Sequence, residues 1–593
     1  MTKTIRIGCA SGFWGDSMMA APQLVQKGKL DYLVFDYLAE ITMSIMARQR
    51  AKDPDAGYAH DFVSVTMKQN LKAISEQGIK VISNAGGVNP EACSRALEAL
   101  IAEQGLDLKV AWVAGDDLMA RMEEFTGLKE MFSGADFPPT DKIMSLNAYL
   151  GARPIAEALG NGADIVVTGR GVDSAVTLGA CMHEFGWSDD EYDRLAGGSL
   201  AGHIIECGAQ ATGGLFTDWN KVPGWENIGY PIVEVDGEGV FTVTKPEDTG
   251  GLVTFGTVAE QMVYEIGDPQ AYMLADVVCD FSDVRIDEVG KDRVRVSNAK
   301  GSAPTPTYKC SVTYRDGYRV GTYLSIGGID AGAKARKTAA AVITRARGML
   351  RAMNTADFSE VSVEVIGAED SYGPHARGID PRTVILKLAA KHEHKLALSL
   401  LLRELVSSGT SMSPGTTGMG GNRAKPSPVV RLFSCLIPKE DVPVSIDVAG
   451  TPSNVEIASG AEFDPSVLAR PNVSDDVSWG DTVEVPLVEL AYGRSGDKGD
   501  SANIGIIARS EEFLPFIRTA LTEDAVAGYM AHTGHTGVTR YDLPGINGLN
   551  FLLIDALGGG GIASLRNDPQ GKGYAQMLLE FPVRVPTSMK AKL

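Results

Sequence analysis

Residues 79–90 read IKVISNAGGVNP, in which a short β-branched strand, Val81 to Asn84, runs straight into a glycine turn at Gly86-Gly87. The same unit recurs on both sides. Ile5 to Ala10 leads into SGFWG, and Tyr32 to Asp36, Val110 to Ala114 and Ile165 to Thr168 each end in a polar or glycine-rich turn. Helix-length amphipathic stretches separate these runs from residue 4 to about 190, the pattern of βαβ units around a parallel sheet. The expected fold class is therefore α/β, with an open, mostly parallel sheet in a large N-terminal domain.

Ligands of open α/β sheets bind beyond the carboxyl ends of the strands. The residues at those positions are Ser11, Gly12 and Asp16; Asp36 and Glu40; Asn84; Asp116 and Asp117; and Arg170 and Asp173. Six carboxylates and one arginine on one edge suit acid/base chemistry, a divalent cation or the orientation of a carboxylate substrate. Helix capping is the competing use of the same residue types. Asp36, Asn84 and Asp116 are taken as catalytic candidates, and Ser11, Gly12, Arg170 and Asp173 as substrate-binding candidates. The glycine turns have neither GxGxxG nor Walker spacing, so no nucleotide cofactor is expected.

The segment GHIIECGAQATGG places His203, Glu206 and Cys207 at i, i+3 and i+4, on one face if it is helical. An acid, a base and a thiol in five residues can accept a proton from an alcohol or attack an acyl thioester. A buried thiol and a satisfied histidine at a helix end is the alternative. Zinc is disfavoured because no second His/Cys pair has ligand spacing. The metal requirement stays open, with a divalent ion compatible with the carboxylates.

Between about 220 and 330 the texture becomes β-rich, as in IVEVDGEGVFTV, where Asp236-Gly237 reads as the positive-φ pair of a hairpin turn. Ala331 to Met353 reads as helix, FSEVSVEVIG as strand, HKLALSLLLRELVSSG as helix and VVRLFSCLIP as strand. Residues 1–450 then form the large domain, 451–481 an irregular connection, and 482–593 a small α+β domain. In that domain VEVPLVELAYG, NIGIIAR, LNFLLIDAL and FPVRV read as strands. FLPFIRTALTEDAVAGYMA and IASLRNDPQGKGYAQMLLE read as helices. Its loop GRSGDKGDSANIG gathers Arg494, Ser495, Lys498 and Ser501 into a unit suited to anions, and LGGGGIASLR could add amide donors to the same ligand. Arg423, Lys425 and Arg431 in PGTTGMGGNRAKPSPVVRL form a further basic stretch. His392 and His394 read as exposed and without a catalytic role.

A chain of 593 residues exceeds the size of a single core, and 44% apolar with 22% charged residues is the balance of a globular enzyme. The formal charge of −20 repels phosphodiester backbones and anionic lipid, so neither nucleic acid nor membrane is an expected partner, and a phosphorylated ligand needs a local basic pocket. Seven scattered cysteines without CxxC spacing, no leader-like N-terminus and no apolar run near ~18 residues point to the cytoplasm.

Several of these motifs occur together, in order, in one family. IGCASGFWGDS, DYLAEITMSIMARQRAKDPDAGYAHDF, ISNAGGVNP, GADIVVTGRGVDSA, GHIIECGAQATGG and KPSPVVRLFS resemble the large domain of acyclic terpene utilisation proteins over roughly residues 4–450. YGRSGDKGDSANIGI and ALGGGGIASLR resemble that family's ferredoxin-like C-terminal domain. The resemblance implies catabolism of branched acyl-CoAs derived from citronellol and geraniol, beside a biotin-dependent acyl-CoA carboxylase. The implied reaction is a lyase step cleaving 3-hydroxy-3-isohexenylglutaryl-CoA to a 3-oxoacyl-CoA and acetate. An acyl-CoA substrate and a homo-oligomer are expected; a hydratase, a CoA transferase and a non-catalytic carboxylase partner are the rival roles. The resemblance assigns no catalytic residue.

Overall fold

The computed structural model describes residues 3–592 apart from 379, 419–423 and 474–476. Five strands, β1 (Thr4–Cys9), β2 (Tyr32–Phe35), β3 (Lys80–Ser83), β4 (Val110–Ala114) and β5 (Ile165–Val167), lie side by side in the order β1-β2-β3-β5-β4. All four pairings among them are parallel. Successive side chains enter opposite cores, as the period of two requires. In β2, Tyr32 and Val34 join the core under the helices Arg153–Gly160, Ala175–Phe185 and Tyr192–Ile205. Leu33 and Phe35 join the other, under Ala20–Lys27, Lys68–Gln77 and Pro90–Glu103. Burial on both faces explains why these strands read as unbroken apolar runs.

The sheet is mixed and not mostly parallel. Ile232–Asp236 adds antiparallel to β1, followed by Phe241–Thr244, Arg293–Ser297 and Arg285–Gly290. On the far side, Val444–Val448 pairs antiparallel with β4 and is followed by Thr451–Val455. Of the ten neighbour pairs in this eleven-stranded sheet only the central four are parallel; three of the six antiparallel pairs are short hairpins, which permit no other pairing. The hairpin after Asp236 also differs from expectation. Its left-handed residue is Gly239 at φ 76°, while Asp236 Oδ1 accepts from the Glu238 and Val240 amides. The expected connection starts late, since Thr451–Val455 belongs to the sheet.

A second, antiparallel sheet is organised around the 21-residue strand Thr307–Gly327, which pairs with Ile143–Ala148, Ser427–Pro438 and Thr383–His392. The helices Ala331–Ala352 and Lys395–Ser411 pack on it. The C-terminal unit has a four-stranded antiparallel sheet in the order Ala491–Lys498, Ser501–Ala508, Gly548–Ile554, Gly537–Leu543. Each of its two expected helices is broken. The first becomes Leu514–Ala520 and Glu523–Tyr529, with Thr522 capping the second piece through the Ala525 amide, and the other becomes Gly560–Ala563 and Tyr574–Leu578. No helix among the described residues is long and apolar enough to cross a membrane.

This C-terminal unit is docked by a polar seam. Buried Asn503 donates to the Val263 carbonyl at 2.7 Å and accepts from the Glu265 amide at 3.0 Å. Asn550 donates to the Ile266 and Gly267 carbonyls. A Cβ on Gly505 would meet Val263 Cγ2 at 2.1 Å, and one on Gly496 would meet Tyr264 Cε2 at 2.6 Å. These two glycines let segment 263–265 lie directly on the hairpin.

Candidate functional site

The turns after β1, β2 and β5 meet the end of helix Tyr192–Ile205 at the carboxyl edge of the parallel strands. Asp36 follows β2 and is buried, 6% exposed. Asn84, following β3, donates to Asp36 Oδ1 at 2.5 Å while its own Oδ1 accepts from the Tyr37 amide at 2.7 Å, which orients the carboxylate. Ser11 Oγ donates to the Asp36 carbonyl at 3.1 Å. Arg170, after β5, is 4% exposed and donates through Nη1 to Asp173 Oδ1 at 2.6 Å. Glu206 caps the helix and turns in from the opposite side. Gly12 seats the β1 turn against that helix end: a Cβ there would lie 2.7 Å from the Cys207 carbonyl carbon, so only glycine permits the approach.

Asp36, Asp173 and Glu206 consequently present carboxylate oxygens within 4.8 Å of one another. Three anions cannot share so small a volume, so a proton or a cation must hold them together. Burial, then the charges of Asp173 and Glu206, pushes Asp36 well above the usual carboxylate range. Burial, then Asp173 and Glu265, does the same to Glu206. The side chain of Asp173 is 40% exposed, so the cluster opens to solvent on its side.

Behind Glu206, His203 Nε2 donates to the Met262 carbonyl at 3.2 Å, which leaves Nδ1 unprotonated and without a hydrogen-bond partner, 3.3 Å from Glu206 Oε1. Burial, helped by Lys498, lowers the His203 pKa to about 4, so the ring is neutral at pH 7. The ring is buried and packs behind the Glu206 carboxyl. The Cys207 thiol is pushed up by burial and by Glu206, which makes it a thiol and not a nucleophilic thiolate.

The C-terminal unit completes the site. Lys498 sits at its hairpin tip, 5.3 Å above the Tyr272 ring, and Tyr272 packs edge-on against His203. Lys572 pairs with Glu265 at 3.0 Å and with the Tyr264 hydroxyl. Two site residues, Tyr149 and Lys309, were not apparent from sequence. Tyr149 donates to Glu40 at 2.5 Å, and Lys309 Nζ lies 5.0 Å and Arg170 Cζ 4.1 Å from the Tyr149 ring centre. The Tyr149 amide donates to the Lys309 carbonyl, so strand Thr307–Gly327 carries the lysine to the ring. Burial raises the Glu40 pKa, but Arg170 and Lys309 outweigh it and hold the carboxyl at about 2. No local motif announces Lys309 or Tyr149.

Other expected residues lie apart. Asp116 Oδ2 accepts from the Arg170 amide at 2.8 Å and from Asn147 at 2.9 Å, buttressing the β5 turn from behind. The cavity lined by Asn84 and Arg170 encloses about 10 Å³, and neither Asp36 nor Asp116 lines it. Burial raises the Asp116 pKa to about 7. Asp16 holds its own turn through the Gly12 amide and the Tyr230 hydroxyl, and Asp117 pairs with Arg50.

Arg494 is not an exposed loop cation. It is 6% exposed, donates to the Leu215 carbonyl and Gln210, and lies over the Tyr264 ring. Ser501 pairs with Lys498 across the hairpin turn. The Gly559 and Gly560 amides are already taken by Asp500 Oδ1 at 2.8 and 2.9 Å, so this glycine loop closes on its own protein. Arg431 pairs with Asp316, and Arg423 lies outside the described residues. His392, expected to be exposed, is buried with Nε2 donating to the Ala356 carbonyl at 3.0 Å.

Residues 5–448 match the family described as acyclic terpene utilisation family protein AtuA, and residues 485–584 match the AtuA ferredoxin-like domain. No curated protein matches the chain. The two matched segments correspond to the two units whose junction carries the carboxylate cluster and Lys498.

Proposed function

This chain belongs to the acyclic terpene utilisation family AtuA, and on that premise we propose that it is an acyl-CoA lyase acting in the cytoplasm. Its substrate in this reading is a branched 3-hydroxyglutaryl-CoA of the 3-hydroxy-3-isohexenyl type, cleaved to 7-methyl-3-oxo-6-octenoyl-CoA and acetate. The observation that carries the reading is the convergence of Asp36, Asp173 and Glu206 within 4.8 Å beside Arg170 and Lys498.

Carbon–carbon cleavage of a tertiary alcohol needs a proton acceptor and a proton donor on one substrate. An ionised member of the cluster takes the hydroxyl proton, and the C3 oxygen becomes a carbonyl. The bond from C3 to the departing methylene breaks, and its electron pair moves onto that methylene. The methylene then collects a proton from a protonated member and leaves as acetate. Asp173, held by Arg170, suits the first role, and Glu206, raised by burial, suits the second. A protonated Glu206 could donate to the unpartnered His203 Nδ1, 3.3 Å away, and be oriented by it. The same three carboxylates would hold a divalent cation, which would stabilise negative charge on the departing carboxylate.

The test is incubation of the purified protein alone with a panel of 3-hydroxy-3-alkylglutaryl-CoAs and mass-spectrometric analysis of the products. A 3-oxoacyl-CoA shorter by two carbons supports the lyase. A mass change of one water, or transfer of CoA between acids, would identify a hydratase or transferase instead. Activity only after adding an acyl-CoA carboxylase would identify a partner protein.

A further inference from the structure

Among the described residues Arg170 and Lys572 are ion-paired in the cleft, whereas the Lys309 and Lys498 ammonium groups form neither an ion pair nor a hydrogen bond. Arg170 uses Nη1 on Asp173 and on the Gly171 carbonyl, but its Nε is buried and has no hydrogen-bond partner. Lys309 Nζ forms no ion pair and no hydrogen bond among the described residues; it lies 5.0 Å from the centre of the Tyr149 ring and feels the charge of Glu40. Lys309 is half-buried, so its ammonium is free to take a carboxylate that a ligand brings into the cleft. Glu40, the carboxylate facing both cations, is already bonded by the Tyr149 hydroxyl, which in turn accepts from Ser311. The ring thus fixes two cations beside one already committed acid. The acidic cluster lies on the other side of Arg170, through Asp173.

From this arrangement we propose that Lys309, with Arg170 at the same Tyr149 ring, forms a receptor for one carboxylate of the ligand, so that the protein selects dicarboxylic acyl thioesters. The inference deepens the lyase reading and rests on it for the identity of the thioester, but the receptor stands on its own geometry. Holding the free carboxylate at Lys309 places the carbon chain between that end and the Asp36, Asp173 and Glu206 cluster, where a hydroxyl along the chain meets the acids. A monocarboxylic acyl-CoA would leave Lys309 Nζ and the buried Arg170 Nε without an acceptor, and a site built to hydrogen-bond a group rejects the ligand that lacks it.

The receptor is tested without turnover, by titrating the full-length protein calorimetrically with glutarate and, separately, with glutaramide. Glutarate is expected to bind and glutaramide to bind more weakly. Lys309→Met should weaken glutarate roughly 10- to 100-fold, the worth of one charge-assisted hydrogen bond. Lys309→Arg, which keeps the charge, should recover most of that loss, and a matching melting curve shows that both variants fold. If Lys309→Met does not fold, Lys309→Gln serves as the neutral variant. Equal glutarate affinity in the wild type and the neutral variant, or no discrimination against glutaramide, would overturn the receptor even if the protein is a lyase. Glutarate binding that depends on Lys309, in a protein that cleaves no 3-hydroxyacyl-CoA, would support the receptor and sink the lyase reading alone.

Discussion

Replacing Glu206 by Gln separates chemistry from folding more cleanly than any other change at this site. Glu206 is buried among Asp36, Asp173 and Glu265, and both burial and those charges favour its protonated form. A carboxamide has the shape of a protonated carboxyl, and its NH2 can donate to His203 Nδ1, 3.3 Å from Oε1 in the native protein. Folding should lose less than about 1 kcal/mol, since no buried group is left without a partner. Turnover should fall about 10²- to 10⁴-fold, because Gln cannot deliver a proton, which corresponds to roughly 3 to 5.5 kcal/mol of barrier. Stopped assays of acetate release alongside urea unfolding would measure both quantities. Turnover within a few-fold of wild type would remove Glu206 from the reaction. Turnover and stability falling together would reduce it to a packing residue.

Four further expectations follow from particular contacts. Gly12→Ala drives a methyl against the Cys207 backbone at 2.7 Å and should cost about 1–3 kcal/mol, read as a lower melting temperature together with lower turnover; an unchanged melt would show that the β1 turn is not seated there. Asp116 has a folded pKa raised to about 7, so the stability it contributes is full below its unfolded value near 4 and is lost as pH rises through 7. Asp116→Asn should therefore flatten that pH dependence, by at most about 4 kcal/mol, and stabilise the protein relative to wild type at pH 8; parallel urea midpoints of the two proteins across this range would refute the assignment. Lys498→Ala should raise KM for a CoA ester chiefly at low salt without altering the melt, whereas Arg494→Ala should lower stability by stripping the Leu215 carbonyl and Gln210 of their donor. If Asp36, Asp173 and Glu206 hold a divalent cation, exhaustive chelation should abolish turnover and the dialysed protein should carry metal at a fixed stoichiometry that Asp36→Asn reduces.

The central strands were legible in the sequence to within a residue or two, because each is an apolar β-branched run closed by a polar turn. Two strands of other sheets were harder. Ile143–Ala148 and Gly537–Leu543 alternate weakly and carry polar residues, and they are strands because the sheet edges beside them have donors to satisfy. Asp36, Arg170, Asp173 and Glu206 could be nominated because they follow strands or end a helix, positions that local pattern identifies. Lys309 and Tyr149 could not, since the pairing of Ile143–Ala148 with Thr307–Gly327 that joins them spans more than a hundred residues. The glycines of GRSGDKGDSANIG misled for a physical reason. Gly496 and Gly505 look like a ligand cradle, but the close approach they permit is that of Val263, Tyr264 and Glu265 from the same chain.

The most direct measurement follows the two departing carbons themselves. Substrate labelled with ¹³C in the non-thioester CH2–COOH unit, incubated with the purified protein and watched by NMR, should yield labelled free acetate at the rate at which the 3-oxoacyl-CoA forms, and Glu206→Gln should slow both together. Label that stays attached to the CoA ester, or emerges as acetyl-CoA, would contradict direct lyase cleavage at the Asp36, Asp173 and Glu206 cluster.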